Sequence, residues 1–200
     1  MSIASTTLRA LSGLPATPAR LSESALVIVD AQNTYRNGVM QLQGVEPALD
    51  ECARLLARAR ALKIPVVHIQ HDAGPGSPYD PSAECGAIAD KVAPAAGEAV
   101  VVKDYPNAFV GTDLDAHLKA AGVNNLVITG FMTHMCINST ARGAFNLGYA
   151  VTIPAAATAT RALPAADGSV VEAASLQSAA LAALADLFAV VVADSAAIPD

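Results

Sequence analysis

The chain has 200 residues, 53% of them hydrophobic and 15% charged, with a formal net charge of −6. That length suits one domain with a sizeable core. The composition is too apolar for disorder, no apolar run approaches the roughly 18 residues of a membrane helix, and the acidic balance argues against a nucleic-acid partner, which wants a basic face.

Tryptophan is absent and aromatics make up 4%, so Ala, Val, Leu and Ile must fill the core. Residues 1–22, rich in Ser, Thr and Pro, read as an extended arm ahead of a domain over 23–200. They lack the basic start and apolar stretch of a signal peptide. Cys52, Cys85 and Cys136 are an odd set without a CxxC spacing, neither a disulfide framework nor a zinc site, and a reducing cytoplasm is the simplest compartment for them.

"SALVIVD" (Ser24–Asp30) reads as a buried strand ending at an aspartate. From Glu46 to Lys63, Leu49, Cys52, Ala53, Leu56, Ala59 and Leu62 recur at helical spacing, with Pro47 placed for a first turn. "IPVVHIQ" (Ile64–Gln70) is a second strand, followed by a Gly/Pro-rich loop to about Pro81. "EAVVVK" (Glu98–Lys103) is a third strand ending at a lysine. Thr112 reads as the N-cap of a helix that Gly122 ends. "NLVITG" is a fourth strand, and a helix runs from about Cys136 to Leu147. "YAVTIP" is a fifth strand. Ser169 and Glu172 have capping-box spacing before an Ala/Leu helix to about Asp186. "FAVVVAD" is a sixth strand.

Alternating strands and helices predict parallel β-α-β units in a three-layer α/β/α, Rossmann-like domain around a six-stranded parallel sheet. Sites in such sheets form beyond the carboxyl ends of the strands. Asp30 ends the first strand, His71 follows the second, Lys103 ends the third, and Phe131 to Cys136 follow the fourth. A thiol at a helix N-terminus, with a lysine beside it, is expected to have a lowered pKa. Asp30 is placed to take its proton and return it to a leaving amine. These parts suffice for acyl transfer to water. Each alone also fits a cap, a surface charge or a core thiol, and Cys52, on an apolar helix face, reads as core. His68, inside a strand, reads as structural, and His117 as exposed on a helix.

"LVIVDAQNTY", "VVVKDYPNAF" and "LVITGFMTHMCINSTARGAFNLGY" resemble three signatures of the isochorismatase-like cysteine hydrolase family, and the resemblance runs from about Ala25 to Ala193. It implies Asp30 as proton shuttle, Lys103 as the accompanying cation and Cys136 as nucleophile. It also implies a cis peptide at Phe131–Met132 and an oxyanion hole made by the N–H groups of Met132 and Cys136. Gln32, Asn33, Tyr35 and Phe109 fall in the family's pocket-forming loops. His71, Phe131 and His134 join them as candidate substrate contacts.

The implied activity is hydrolysis of a small amide, ureido or carbamoyl substrate through a thioester-type intermediate, without a cofactor. Nicotinamidases of the family hold a metal after the second strand, but His71-Asp72-Ala73 here lacks that ligand set, so no metal is expected. Two alternatives stay open: vinyl-ether cleavage, as in isochorismatases, and an inactive binding module. A nucleotide-binding module is disfavoured, because the turn after the first strand has no glycine before Gly38. Apolar, Ala-rich helix surfaces and the family habit point to a homo-oligomer, a dimer or tetramer. No membrane partner is expected.

Overall fold

The structure is a computed structural model describing residues 5–200; the first four residues of the expected arm lie outside the described residues. The central strand β1 (Ser24–Val29) is buried at every position. It pairs in parallel with β2 (Val66–His71) on one side and with β4 (Asn125–Phe131) on the other. Both faces and both edges of β1 are therefore covered, which is why its sequence is an unbroken apolar run rather than an alternation. Outside β2 lies β3 (Ala99–Lys103). Outside β4 lie β5 (Ala150–Pro154) and, beyond it, the last strand. The six-strand order is β3-β2-β1-β4-β5-β9, with β9 at Val190–Val192 and the two-residue β6 (Thr158–Ala159) added beside the end of β4. The six-stranded parallel sheet is as expected.

Side chains of β1 alternate between two cores. Leu26 and Ile28 pack with Leu49, Cys52 and Leu56 of α2 (Val45–Leu62). Ala25, Val27 and Val29 pack with Leu114 and Leu118 of α3 (Leu114–Ala120), Ala141 and Ala144 of α4 (Asn138–Asn146), and Leu181 and Leu184 of α5 (Ala173–Ala185). One helical layer on each face makes the three layers.

The strand order reverses between β1 and β4. The chain builds outward through β2 and β3, then returns to β4 and builds the other way. The crevice at such a switch point, beyond the carboxyl ends of the strands, is where α/β sheets place ligands. Here Asp30 leaves β1 and Phe131–Cys136 leaves β4 at that crevice.

Four local expectations are corrected. The segment before β1 is not simply extended: Leu8–Leu11 form a short helix, α1, capped by Thr7. The buried Arg9 of α1 donates to Pro15 O and Leu187 O, which fastens it to the end of α5. Helix α3 starts at Leu114 with Asp113, one residue later than expected, at the N-cap position; Thr112 still accepts from Leu114 N–H at 3.4 Å while its hydroxyl donates to Ala108 O at 2.6 Å. Ser169 and Glu172 form no capping box. Ser169 donates its hydroxyl to Asp167 instead, at the tip of a hairpin of β7 (Leu163–Pro164) and β8 (Val170–Val171), and α5 begins without a side-chain cap. Two-residue strands are too short to show a period, which is why the pattern missed them. Finally, Cys136 is not the first residue of a helix. It sits inside a wide turn, Thr133–Ile137, in which Ile137 N–H bonds Met132 O five residues back, and α4 follows.

Gly130, paired with Val29 across β1 and β4, has φ +107, and a Cβ there would lie 2.0 Å from Val29 O. Gly130→Ala combines backbone strain with a backbone clash and is expected to cost roughly 3 kcal/mol or more. Gly97→Ala, at φ +91 with open space around it, should cost only about 1–2 kcal/mol. Urea unfolding of the two variants measures the difference, and equal losses would remove the close approach of β1 as the reason for glycine at 130.

Candidate active site

Each key side chain is delivered by a strand end. Asp30 has φ +48, left-handed backbone that few non-glycine residues adopt. Its N–H still bonds Ile69 O of β2, and its carbonyl accepts from Gln32 N–H at 2.7 Å. The chain thus reverses immediately after β1 while Asp30 stays tied to the sheet. Lys103 ends β3 in register with His71 of β2. Cys136 sits in the turn after β4, beyond the cis peptide Phe131–Met132.

Four strand ends, those of β1, β2, β3 and β4, bring one cation to three acceptors. Lys103 Nζ lies 2.8 Å from Asp30 Oδ2, 3.5 Å from Cys136 Sγ and 3.2 Å from His71 Nδ1. Two of these contacts, to Cys136 and His71, are hydrogen bonds, and the third, to Asp30, is an ion pair. Asp30 and Lys103 are 0% and 1% exposed, and Cys136 is 6% exposed. Asp30 Oδ2 is paired with Lys103 by charge, yet neither carboxylate oxygen has a well-aligned hydrogen-bond donor among the described residues.

The electrostatics follow from that burial. Burial raises the Asp30 pKa, and the attraction of Lys103 only partly offsets it. The Cys136 thiol is pushed up to about 12, first by burial and then by the Asp30 charge, with Lys103 pulling the other way. The expectation of a lowered thiol pKa is therefore corrected. Lysine and turn are both present, but desolvation and a carboxylate at contact range outweigh them. At rest the thiol keeps its proton beside a carboxylate that is more basic than usual.

His71 is held by its backbone. Gln32 accepts from His71 N–H at 3.0 Å and donates to His71 O at 2.9 Å and to Gly86 O at 2.7 Å. Both amide hydrogens of the fully buried Gln32 are thereby used in tying loops together. The His71 pKa is lowered by burial and then by Lys103. That keeps the ring neutral and able to accept from the ammonium. The His71 ring meets Tyr79 edge-on at 5.0 Å, Tyr79 meets Tyr35 at 5.8 Å, and Tyr35 meets Phe131 at 5.6 Å. This aromatic wall runs from Lys103 to the loop before Cys136. Tyr79 was missed in the sequence; its one signal was being the sole aromatic in the Gly/Pro-rich loop.

The remaining candidates are spread out. His134 Nδ1 lies 2.5 Å from Thr160 Oγ1. Phe109 stacks on Tyr149 at 6.0 Å. Asn33 bonds Glu84 O and lines a polar cavity of about 300 Å³ with Arg36, Glu84 and Cys85. Of the other thiols, Cys52 is buried against Ala157 O and Cys85 is exposed. His68 is buried on Glu98 at 2.8 Å, and His117 pairs with Asp113 on α3. After β2, Asp72 accepts from Gly74 N–H and Asp80 from Gly76 and Ser82, so the loop uses its own carboxylates. A groove of about 500 Å³ lined by Arg60, Pro65 and Glu98 lies at the amino ends of β2 and β3. It is at the opposite rim from Cys136, and the chemistry rather than the volume marks the site.

Residues 24–196 match the Isochorismatase domain. The chain belongs to the isochorismatase family of hydrolases. It is 34% identical to the secreted isochorismatase effector Isc1 of Verticillium dahliae, over 92% of this chain and 95% of that one. It is also 34% identical to the ureidoacrylate amidohydrolase RutB of Stutzerimonas stutzeri, over 68% of this chain and 71% of the relative. The crystal structure of an isochorismatase from Pseudomonas putida superposes with a TM-score of 0.91 at 38% identity, covering 94% of this chain and 97% of the other. No helix among the described residues is long and apolar enough to cross a membrane.

The His71–Lys103 contact sets a pH dependence in this family member. The folded pKa of His71 lies below its ordinary 6.5, so the unfolded chain binds the proton first. The stability from keeping the ring neutral is fully present above about pH 6.5 and is lost as pH falls through the folded value. His68 and His134 shift in the same direction through burial and add to it. Asp30, with its raised pKa, acts in the opposite sense: its contribution is lost as pH rises through the folded value. The urea midpoint of the wild type should fall between about pH 7 and about pH 5, and His71→Gln should show a smaller fall. An identical fall in both proteins would remove His71 from the titration.

Proposed function

We propose that this hydrolase is a cysteine-dependent amidohydrolase that cleaves the C–N bond of a small amide, ureido or carbamoyl compound. The observation that carries the reading is one ammonium, Lys103 Nζ, 2.8 Å from a buried carboxylate and 3.5 Å from a buried thiol at the switch point of the sheet. Cys136 is the nucleophile, Asp30 the proton carrier and Lys103 the fixed cation.

The raised basicity of Asp30 suits the first step. As Cys136 Sγ attacks the carbonyl carbon, its proton passes to Asp30, and Lys103 stays beside whichever of the two carries the negative charge. Charge is moved inside the group rather than created in a buried place. The N–H groups of Met132 and Cys136 are the proposed oxyanion donors. Asp30 then protonates the departing amine, leaving a thioester-type acyl group on Cys136. Water, deprotonated by Asp30, releases the acid and restores the thiol. The sum is amide plus water giving acid plus amine. Tyr35, Phe131 and His71 are proposed to border the substrate, with His134, Phe109 and Asn33 farther out; Gln32 acts through the loops it ties.

A vinyl-ether hydrolase would not need a thiol set between a carboxylate and an ammonium, and an inactive binding module would not need the arrangement at all. The amidohydrolase name of the Stutzerimonas relative points the same way. A homo-oligomer is proposed on the apolar side chains left exposed, among them Val100, Val102, Val110 and Met135. A cytoplasmic location is proposed on the three free thiols; the name of the Verticillium relative, secreted, makes cell fractionation its test.

Ammonia release from a panel of primary amides, ureido acids and carbamoyl compounds tests the reaction. Cys136→Ala should abolish turnover, while Cys52→Ala and Cys85→Ser retain it. Full activity in Cys136→Ala would leave only the vinyl-ether reading. Asp30→Asn keeps the shape but cannot carry the proton, and should cut turnover by roughly 10²–10⁴-fold. Near-normal single-turnover chemistry in that variant would remove Asp30 from proton transfer. No step draws on a metal, so activity should survive exhaustive chelation; loss on chelation, restored by zinc, would overturn that point.

A further inference from the structure

One edge of the sheet is unguarded. β3 is the first strand of the sheet and pairs only with β2. In a parallel pair, every second residue of a strand turns its N–H and C=O to the neighbour. Lys103 O accepts from Asp72 N–H, just past β2. Ala99, Val101 and Lys103 therefore face β2, and the backbone groups of Val100 and Val102 point outward. No loop among the described residues bonds them. The side chains of Val100 and Val102 are 44% and 49% exposed, on the same sheet face as Val66, which packs toward α2. Sheets guard such an edge with an outward lysine, a proline or a bulge. β3 has none of these, because its one charge, Lys103, is turned inward to Asp30. The opposite edge, β9, is short and buried or half-buried throughout.

The strand also matches itself. A second copy laid antiparallel about a two-fold axis at Val101 sets Val100 opposite Val102 of that copy, and Val102 opposite its Val100. Both pairs are of the outward kind, so each can exchange two N–H···O bonds. All four valines then lie together on one face of a continuous sheet. An axis at Val100 or at Val102 would set a valine against Glu98 or Asp104 instead. An axis between two residues would set outward backbone groups against inward ones.

The same axis brings the amino end of β3 in one copy to the carboxyl end of β3 in the other. At the amino end lies the groove of about 500 Å³, lined among others by Arg60, Lys63, Gly97, Glu98 and His117. Arg60 is matched by Glu98 and His117 by Asp113. Lys63 is left as the groove's cation without an ion pair among the described residues. At the carboxyl end stand exposed Asp104, likewise without an ion pair among the described residues, and Tyr105, 58% exposed. Counted outward from Val101, Asp104 comes level with Glu98 of the other copy, and Tyr105 with its Gly97. A carboxylate thus approaches the spare ammonium of the groove, and an exposed aromatic ring approaches its open floor.

We propose that β3 is an interface for a second copy of this chain. The two β3 strands pair antiparallel, and the Asp104–Tyr105 turn of each copy seats in the groove of the other. This rests on the homo-oligomer reading above and is independent of the amidohydrolase reading. In the single chain, the strand that ends at Lys103 is hydrogen-bonded from one side only. Pairing makes it an interior strand, so the assembly braces the element that positions the ammonium beside Asp30 and Cys136.

Sedimentation velocity of the full chain over a wide concentration range tests the interface. Val102→Lys puts a charge into the valine patch, and Tyr105→Ser empties the groove. Both residues are exposed, and circular dichroism should show each variant folded. Each should weaken self-association by about tenfold or more, losing one step, from dimer to monomer or from tetramer to dimer. Hydrogen exchange over residues 99–105 should slow with rising concentration in the wild type but not in Val102→Lys.

The register has its own test. Opposite residues of such a pair have Cα atoms about 5.5 Å apart, within reach of a disulfide. Val100→Cys and Val102→Cys, each in a Cys85→Ser background, should cross-link on oxidation faster when mixed than when either is oxidised alone. Equal cross-linking would overturn the axis at Val101. An oligomer that Val102→Lys leaves intact would overturn the strand pairing while the homo-oligomer stands, and one that Tyr105→Ser leaves intact would overturn the seating of the turn. A wild type that is monomeric at every concentration would overturn both the pairing and the homo-oligomer, and leave the edge to a different chain.

Discussion

The Asp30–Lys103 ion pair is the constraint around which the carboxyl rim is arranged. Both groups are removed from water, and two desolvated ions repay that cost only when their geometry is good and their remaining hydrogen-bonding capacity is used. Lys103 meets the second condition largely, through hydrogen bonds to Cys136 and His71. Asp30 does not, since neither carboxylate oxygen has an aligned donor. The imbalance leaves one buried group with spare accepting capacity, directly beside a thiol. In the proposed reaction that capacity is what the thiol proton uses.

Keeping such a pair in place requires rigid surroundings, and they are visible on each side. The left-handed Asp30 is held to β2 through its own N–H, and Gln32 clamps the backbone of His71 from both ends. Gly130 lets β4 lie against β1 at the level where both strands end. A shift of one strand by a residue would turn Asp30 or Lys103 to the other face of the sheet. Register in the core and position in the site are therefore one property.

The fold was legible because period and composition report burial: continuous apolar runs for two-sided strands, and spaced apolar positions for α2. The convergence of Asp30, Lys103 and Cys136 was legible too, since each stands at the end of a run whose direction in a parallel sheet is known. What the sequence hid depends on tertiary distance. His71 was read as a possible substrate contact; that its ring also meets Lys103 was hidden, because it follows from β2 and β3 being neighbours in register. Tyr79 lies in a loop without a period, and only the folded chain brings it to the rim. The hairpin of β7 and β8 was hidden by its shortness. The thiol pKa was expected to move down because a lysine and a helix start are readable in sequence, whereas the burial that moves it up is not.

Cys52 and Cys136 sharpen that last point. Both are buried and both are pushed up to about 12, burial being the main cause in each. By acidity alone the two thiols are alike. They differ in what stands opposite the sulfur. Cys52 faces the carbonyl of Ala157, which can accept a hydrogen bond but cannot take the proton. Cys136 faces a carboxylate whose basicity burial has raised, with an ammonium at 3.5 Å to stay with the charge once the proton has moved. A thiol in that setting does not have to exist as a thiolate in the resting protein. In the proposed reaction it becomes one only when a carbonyl arrives, and the proton acceptor beside it, rather than its resting pKa, is what sets Cys136 apart from Cys52.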